Sequence, residues 1–215
     1  SGCGKSTLLR LIAGLDPPTS GRVTWGLEGK PAPGQIGYVF QDPTLMPWAT
    51  VADNVWLPLR LAGLKRAEVR PRIDAMLQRL GLADFADAYP RALSGGMRMR
   101  VSIARALITR PRVLMLDEPF AALDELTRFR LNEDLLRLWQ EEGCTIIFVT
   151  HSVFEAAFLA QRIVVMTPRP GKIATELPVS FGAPRDALLR TSAEFAAVSR
   201  TASEALALAM NELVA

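Results

Sequence analysis

The chain opens on Ser1-Gly2-Cys3-Gly4-Lys5-Ser6-Thr7, and no other stretch constrains its fold so tightly. This is the back half of the pattern G-x-x-x-x-G-K-[ST]. A helical pattern follows at once, with apolar Leu8, Leu9, Leu11 and Ile12 and a glycine at position 14. Glycines let backbone N–H groups turn inward around phosphate oxygens, and a helix start adds positive potential there. In this pattern Lys5 reaches the outer phosphates of a nucleotide and the Ser6 hydroxyl ligates Mg²⁺. Such a loop joins a strand to a helix, so an α/β core is expected. The first glycine of the motif would fall two residues before Ser1. The N-terminal strands of that core are therefore expected to be missing from this chain.

Three short, wholly apolar runs fit a core of that kind: Val113–Leu116, Thr145–Val149 and Ile163–Met166. Runs without alternation suit strands buried on both faces, and the helical pattern Leu123–Glu142 between the first two suggests a parallel sheet. Two further strand candidates, Gly21–Leu27 and Gln35–Phe40, flank a Gly/Pro-rich turn. From Val51 to Leu107 the pattern is helical, over Val51–Ala62, Arg66–Leu80 and Ser94–Leu107, with Glu68 and Arg72 spaced to pair at i,i+4. The expected organisation is residues 1–49 as the loop and first part of the core, 50–110 as a helical subdomain, 111–181 as the rest of the core, and 182–215 as a helical tail.

Composition excludes several classes. With 215 residues, 49% hydrophobic and 22% charged, the chain can bury one sizeable core. Net charge is only +3 and the arginines are dispersed, which describes a solvated surface rather than a nucleic-acid face. Cys3 and Cys144 have no C-x-x-C partners, so neither a disulfide frame nor a zinc site is expected. No apolar run approaches the ~20 residues needed to cross a bilayer, and no signal peptide opens the chain. Work at a membrane would require a partner.

Val113-Leu114-Met115-Leu116 delivers Asp117-Glu118 to the C-terminal edge of the sheet, where ligands bind in open α/β folds. A strand ending in this way also suits an ordinary capped end. With the phosphate loop on the same sheet, Asp117 becomes the Mg²⁺ carboxylate and Glu118 the general base for an attacking water.

Leu93-Ser94-Gly95-Gly96-Met97 reads locally as a turn and a serine N-cap before a basic helix. Its place some ~20 residues upstream of Asp117 is not a general feature of phosphate loops. It resembles the signature motif of ABC ATPases, usually LSGGQ, with Met97 where the common form has glutamine. The family's other marks then follow in order. Gln41 matches the Q-loop glutamine, Ala122-Leu123-Asp124 the D-loop, and His151, the only histidine, the switch histidine after a strand. A lone histidine is more often a packed or surface residue, but its place at a strand's C-terminal end favours the functional reading.

The resemblance spans Ser1 to about His151 and implies a P-loop NTPase fold with a helical signature subdomain. It implies ATP and Mg²⁺ as cofactors and a head-to-tail dimer with a second copy. Nucleotide would lie between Ser1, Gly2, Cys3, Gly4, Lys5, Ser6, Thr7, Gln41, Asp117, Glu118 and His151 of one copy and Ser94, Gly95 and Gly96 of the other. Ser6, Gln41 and Asp117 would face the metal; Glu118, His151 and Gln41 would serve catalysis. The implied partners are transmembrane permease subunits and, indirectly, a solute-binding protein, with no nucleic acid. The implied location is the cytoplasmic face of a bacterial inner membrane.

Leu45-Met46-Pro47-Trp48 and Met166–Ile173 look like the nitrate, sulfonate and taurine group of importers, and His151–Ala156 like its pyrimidine-precursor relatives. Cassettes acting on DNA or ribosomes would share the motifs, but the long heptad coils or second cassette of those types are not present in these residues. A small-metabolite kinase would have no use for Leu93–Met97, and a non-hydrolysing cassette would not need Lys5, Asp117, Glu118 and His151 together.

Overall fold

A computed structural model describes residues 3–26, 29, 31–32, 34–181 and 185–211. In chain order the helices and strands are α1 (Lys5–Ala13), β1 (Ile36–Val39), α2 (Val51–Leu61), α3 (Arg66–Arg79), α4 (Gly95–Leu107), β2 (Val113–Asp117), α5 (Glu125–Glu142), β3 (Thr145–Val149), α6 (Val153–Leu159), β4 (Arg162–Met166), β5 (Ile173–Pro178) and α7 (Ala193–Asn211). They fall into two compact units, Ser1–Leu15 with Val149–Ala215, and Asp16–Phe148.

The second of these holds the sheet β1-β2-β3, with β2 in the middle. β1 and β2 run parallel, Ile36 beside Val113 and Val39 beside Leu116. Leu114, Met115 and Leu116 are fully buried, as a two-sided apolar run requires; each such side chain contributes roughly 1.5–3 kcal/mol of burial. Gly37 accepts no side chain, because an added Cβ would lie 2.8 Å from the Ala106 carbonyl oxygen of α4. The helices have clear stops and starts. Thr50, Ser94 and Asp124 cap α2, α4 and α5 through side-chain oxygens, and Gly143 ends α5 in the left-handed region.

The other unit has its own small core. Ile163 and Val165 of β4, Val179 and the Ala202 and Ala209 face of α7 pack with Val153, Ala156 and Leu177. Arg185 fastens the approach to α7 by donating to the carbonyls of Phe158 and Ala160, at 2.8 and 2.9 Å.

Several expectations are corrected. Residues 21–26 are irregular, not a strand, because no described strand lies beside them to complete a ladder; Leu27 lies outside the described residues. Ile163–Met166 is not a doubly buried parallel strand. β4 pairs antiparallel with β5, which sequence reasoning missed, and its burial alternates, Ile163 and Val165 inward and Val164 exposed. β3 is half-buried along Ile146–Val149 and exposed at Thr145. Glu68 does not pair with Arg72. Its carboxylate turns back to accept the Lys65 N–H at 3.2 Å while its own N–H donates to the Lys65 carbonyl at 3.1 Å, which caps the start of α3, and Arg70 and Asp74 form the i,i+4 pair.

Candidate functional site

The phosphate-loop residues and the histidine lie in one unit. Gly4 adopts φ 90°, a left-handed turn that glycine takes without strain, and delivers the chain into α1. Cys3 and Lys5 are half-buried, Ser6 and Thr7 exposed on the first turn. The Lys5 ammonium lies 3.5 Å from the Cys3 sulfur. Gly171, in the turn between β4 and β5, faces the loop so closely that an added Cβ would run into the Cys3 carbonyl oxygen. Ser1 and Gly2 lie outside the described residues.

His151 is exposed just beyond β3. Its neighbours are fastened on both sides. The Thr150 hydroxyl donates to the buried Glu155 carboxylate and accepts the Ser152 N–H at 2.9 Å. The Ser152 hydroxyl in turn accepts the Glu155 N–H and caps α6. Glu155 therefore holds the segment that carries the histidine, a role the sequence pattern did not reveal.

In the other unit, the parallel register of β1 and β2 brings Gln41 and the Asp117-Glu118 pair out at the same strand edge. Asp117 ends β2 and Glu118 follows with φ 46°, both half-buried. That backbone state costs a non-glycine residue on the order of 1–2 kcal/mol and turns the chain sharply at the strand end. The turn is held by the Ala121 N–H donating to the Glu118 carbonyl and by buried Phe120 packing on Phe148, ring centroids 5.7 Å apart.

Ser94 accepts the Met97 N–H at 3.2 Å, and Arg98 reaches back to the Leu93 carbonyl at 2.6 Å. The start of α5 repeats the arrangement. Asp124 accepts the Thr127 N–H at 2.9 Å, and Arg128 reaches the Leu123 carbonyl at 3.0 Å. The two helix starts are side by side, since a Cβ on Gly95 would lie 3.3 Å from Leu123 and one on Gly96 2.7 Å from Thr127. Two positive helix ends thus converge where Ser94–Gly96 and Ala122–Asp124 stand. The Thr127 N–H, aided by its hydroxyl, holds the Asp124 carboxyl below the usual carboxylate range.

The segment leaving Gln41 is tied down by residues that sequence reasoning missed. Arg105 of α4 donates to the Pro43 and Thr44 carbonyls, both at 2.9 Å, and to the Thr44 hydroxyl at 3.0 Å. Burial pushes its guanidinium below the ordinary value, though it stays charged at neutral pH. Fully buried Asn54 of α2 accepts the Met46 N–H and donates toward the Met46, Ala49 and Thr50 carbonyls. No local pattern announces such contacts, because the partners of Arg105 lie about sixty residues upstream.

Among the described residues there is no cluster of three or more His, Cys, Asp or Glu side chains able to hold a metal. Taken each by itself, the Asp117 carboxylate, the Gln41 amide and the Ser6 hydroxyl offer oxygen donors, the kind of ligand Mg²⁺ takes beside phosphates and water. No helix among the described residues is long and apolar enough to cross a membrane.

Comparison with known proteins bears on this arrangement. The family model described as ABC transporter matches residues 1–121. A taurine import ATP-binding protein of Rhizobium johnstonii is 48% identical, over 84% of this chain and 70% of the relative. A nitrate import ATP-binding protein of Synechocystis is 50% identical, over 84% and 68%. An uncharacterised ABC transporter ATP-binding protein of Methanocaldococcus jannaschii is 50% identical, over 91% and 72%. Among solved structures, a dimeric ATP-binding cassette bound to ADP and phosphate, in a post-hydrolysis state, superposes with TM-score 0.70 at 33% identity, covering 84% of this chain and 82% of that one. The cbiO1 subunit of Clostridium perfringens, part of the transporter complex cbiONQ, gives TM-score 0.69 at 33% identity, covering 77% and 69%.

Proposed function

This chain belongs to the ABC transporter family, and from that premise we propose that it is the ATP-hydrolysing subunit that energises a bacterial importer. The observation that carries the reading is the parallel register of β1 and β2, which sends Gln41 and Asp117-Glu118 to one strand edge.

In this reading Ser1 to Thr7 cradle the phosphates, and Lys5 offsets charge on the β- and γ-groups. Ser6, Gln41 and Asp117 would hold Mg²⁺ through oxygen ligands, and the bound ion would supply charge neutralisation for the transferring group. Glu118 accepts a proton from the water that attacks the γ-phosphorus, as the bond to the bridging oxygen breaks and ADP leaves with the electron pair. His151 donates to the γ-phosphate. Ser94 and the Gly95 and Gly96 N–H groups complete the site from a second copy, arranged head to tail. Phosphoryl transfer gains mostly from positioned charge, so hydrolysis then depends on closure of the dimer.

Closure moves a permease docked on the surface around Asp42–Pro58, where Trp48 is 77% exposed. Residues 50–110 form the subdomain that carries the signature and the part of this surface from Thr50 onward. The subunit works at the cytoplasmic face of the membrane, with a solute-binding protein supplying the permease. The names of the relatives, together with Pro47-Trp48 and Pro168–Ile173, support a small organic or anionic solute such as nitrate, a sulfonate, taurine or a vitamin precursor.

The test is affinity purification of the tagged full-length protein from its own membranes, with growth of a deletion strain on those solutes. Co-purification of a multi-span protein with lost growth on one solute is expected. Normal uptake with a loss of drug efflux would count decisively against an importer.

A further inference from the structure

We propose that Arg105 is a positioning residue for Gln41, linking the helix that begins at Ser94 to the loop that carries the glutamine. The inference rests on the nucleotide reading of Gln41 given above. α4 begins at the Ser94–Gly96 end and reaches Arg105 three turns later. There one guanidinium makes three hydrogen bonds to Pro43 and Thr44, whose carbonyls lie two and three residues beyond Gln41. Thr44 itself stands at φ 47°, a state a β-branched residue does not choose freely. The fork of Arg105 holds both its carbonyl and its hydroxyl, which keeps the loop in that one conformation. On the far side of the same loop Asn54 fixes Met46, so the chain between Gln41 and Thr50 has little freedom to move independently of α2 and α4. A shift of α4 on engaging a nucleotide therefore pulls on the loop, and the amide of Gln41 follows.

The planar fork of arginine is the feature in use. Lysine can satisfy one of the three acceptors and keeps the charge and the apolar stem. Alanine satisfies none and leaves two carbonyls to water.

The experiment measures MgATP hydrolysis by the full-length cassette, with kcat expressed per ATP-binding site counted by calorimetric titration. The variants are Arg105→Ala, Arg105→Lys, Gln41→Ala and the double variant Gln41→Ala/Arg105→Ala. Arg105→Ala is expected to lower kcat about tenfold with KM for ATP within about twofold, and to raise the Mg²⁺ concentration needed for half-maximal rate. Arg105→Lys should recover part of the loss. The double variant should be no slower than Gln41→Ala alone, because both changes act at one point.

Losses that multiply in the double variant, or an Arg105→Ala protein with unchanged kcat and Mg²⁺ requirement, overturn the assignment while leaving the cassette reading intact. If Arg105→Ala does not fold, the same comparison is made with Arg105→Lys against Gln41→Ala. A parent protein that binds no MgATP and hydrolyses none overturns the function itself, and the assignment with it.

Discussion

Thr127 stands so close to Gly96 that a Cβ added to the glycine would lie 2.7 Å from its Cγ2 methyl. The two residues occupy the first turns of α4 and α5, so this contact sets how near the two positive helix ends come.

Gly96→Ala should therefore destabilise the protein. Alanine gains at most about 1 kcal/mol of helix propensity, whereas overpacking costs about 1–3 kcal/mol. The branched Thr127 side chain is stiff and yields poorly. Thr127→Ser in the same chain removes the obstructing methyl and should restore stability. Thermal unfolding followed by circular dichroism reads both effects, and a Gly96→Ala protein as stable as the parent would contradict the close packing.

Glu118→Gln should retain MgATP binding, since Lys5, Ser6 and Asp117 remain, yet lower turnover by roughly 10²–10⁴. ATP then holds two copies together. Light scattering after size exclusion should show a dimer only with nucleotide, and Ser94→Arg in the same chain should abolish it. A monomer in saturating MgATP, or turnover at the parent rate, would mean that the base or the shared site has been misassigned.

Gly171→Ala should weaken nucleotide binding without touching any residue given a role in catalysis. The obstruction is the Cys3 carbonyl oxygen, a backbone atom that cannot rotate aside, so the loop itself must shift. Overpacking of about 1–3 kcal/mol corresponds to roughly 5- to 150-fold in Kd if it falls wholly on the bound geometry. Calorimetric titration with MgATP gives the number; unchanged affinity would show that the hairpin turn and the loop move apart freely.

The two thiols should differ in alkylation at pH 8. Cys144 is buried, and burial pushes its thiol above the ordinary value, so the reactive thiolate is scarce until the protein unfolds. Cys3 is half-buried in the phosphate loop. Mass spectrometry after iodoacetamide should find Cys3 modified first, more slowly with MgATP present, and Cys144 only in denaturant. Equal rates in the native protein would contradict this.

What could be read from the residues alone was whatever is local in sequence. The cap Ser94, the helix-ending Gly14 and the apolar run before Asp117 each declare themselves within a few positions, and the elements they bound appear within one or two residues of expectation. Failures came where the partner is distant. Residues 21–26 have strand-like composition, but pairing decides a strand, and composition does not report it. β5 passed unnoticed because Ile173–Pro178 is exposed and polar on one side, and only the register with β4 makes it a strand. Arg105, Asn54 and Glu155 look like ordinary helix residues until the carbonyls and hydroxyls they grip are known.

In the proposed site one oxygen atom at Ser94 serves both folding and recognition. One lone pair accepts the Met97 N–H, which leaves the O–H able to donate elsewhere. The helix start would offer that O–H and the first N–H groups of α4 to an oxyanion, whatever the anion is attached to. Aspartate would cap the same helix as well or better and would present negative charge to the phosphate. A chain with Ser94→Asp should fold as firmly as its parent and yet fail to close on ATP. Folding stability therefore gives this position no protection, and a chain could lose its activity here by drift without any loss of structure.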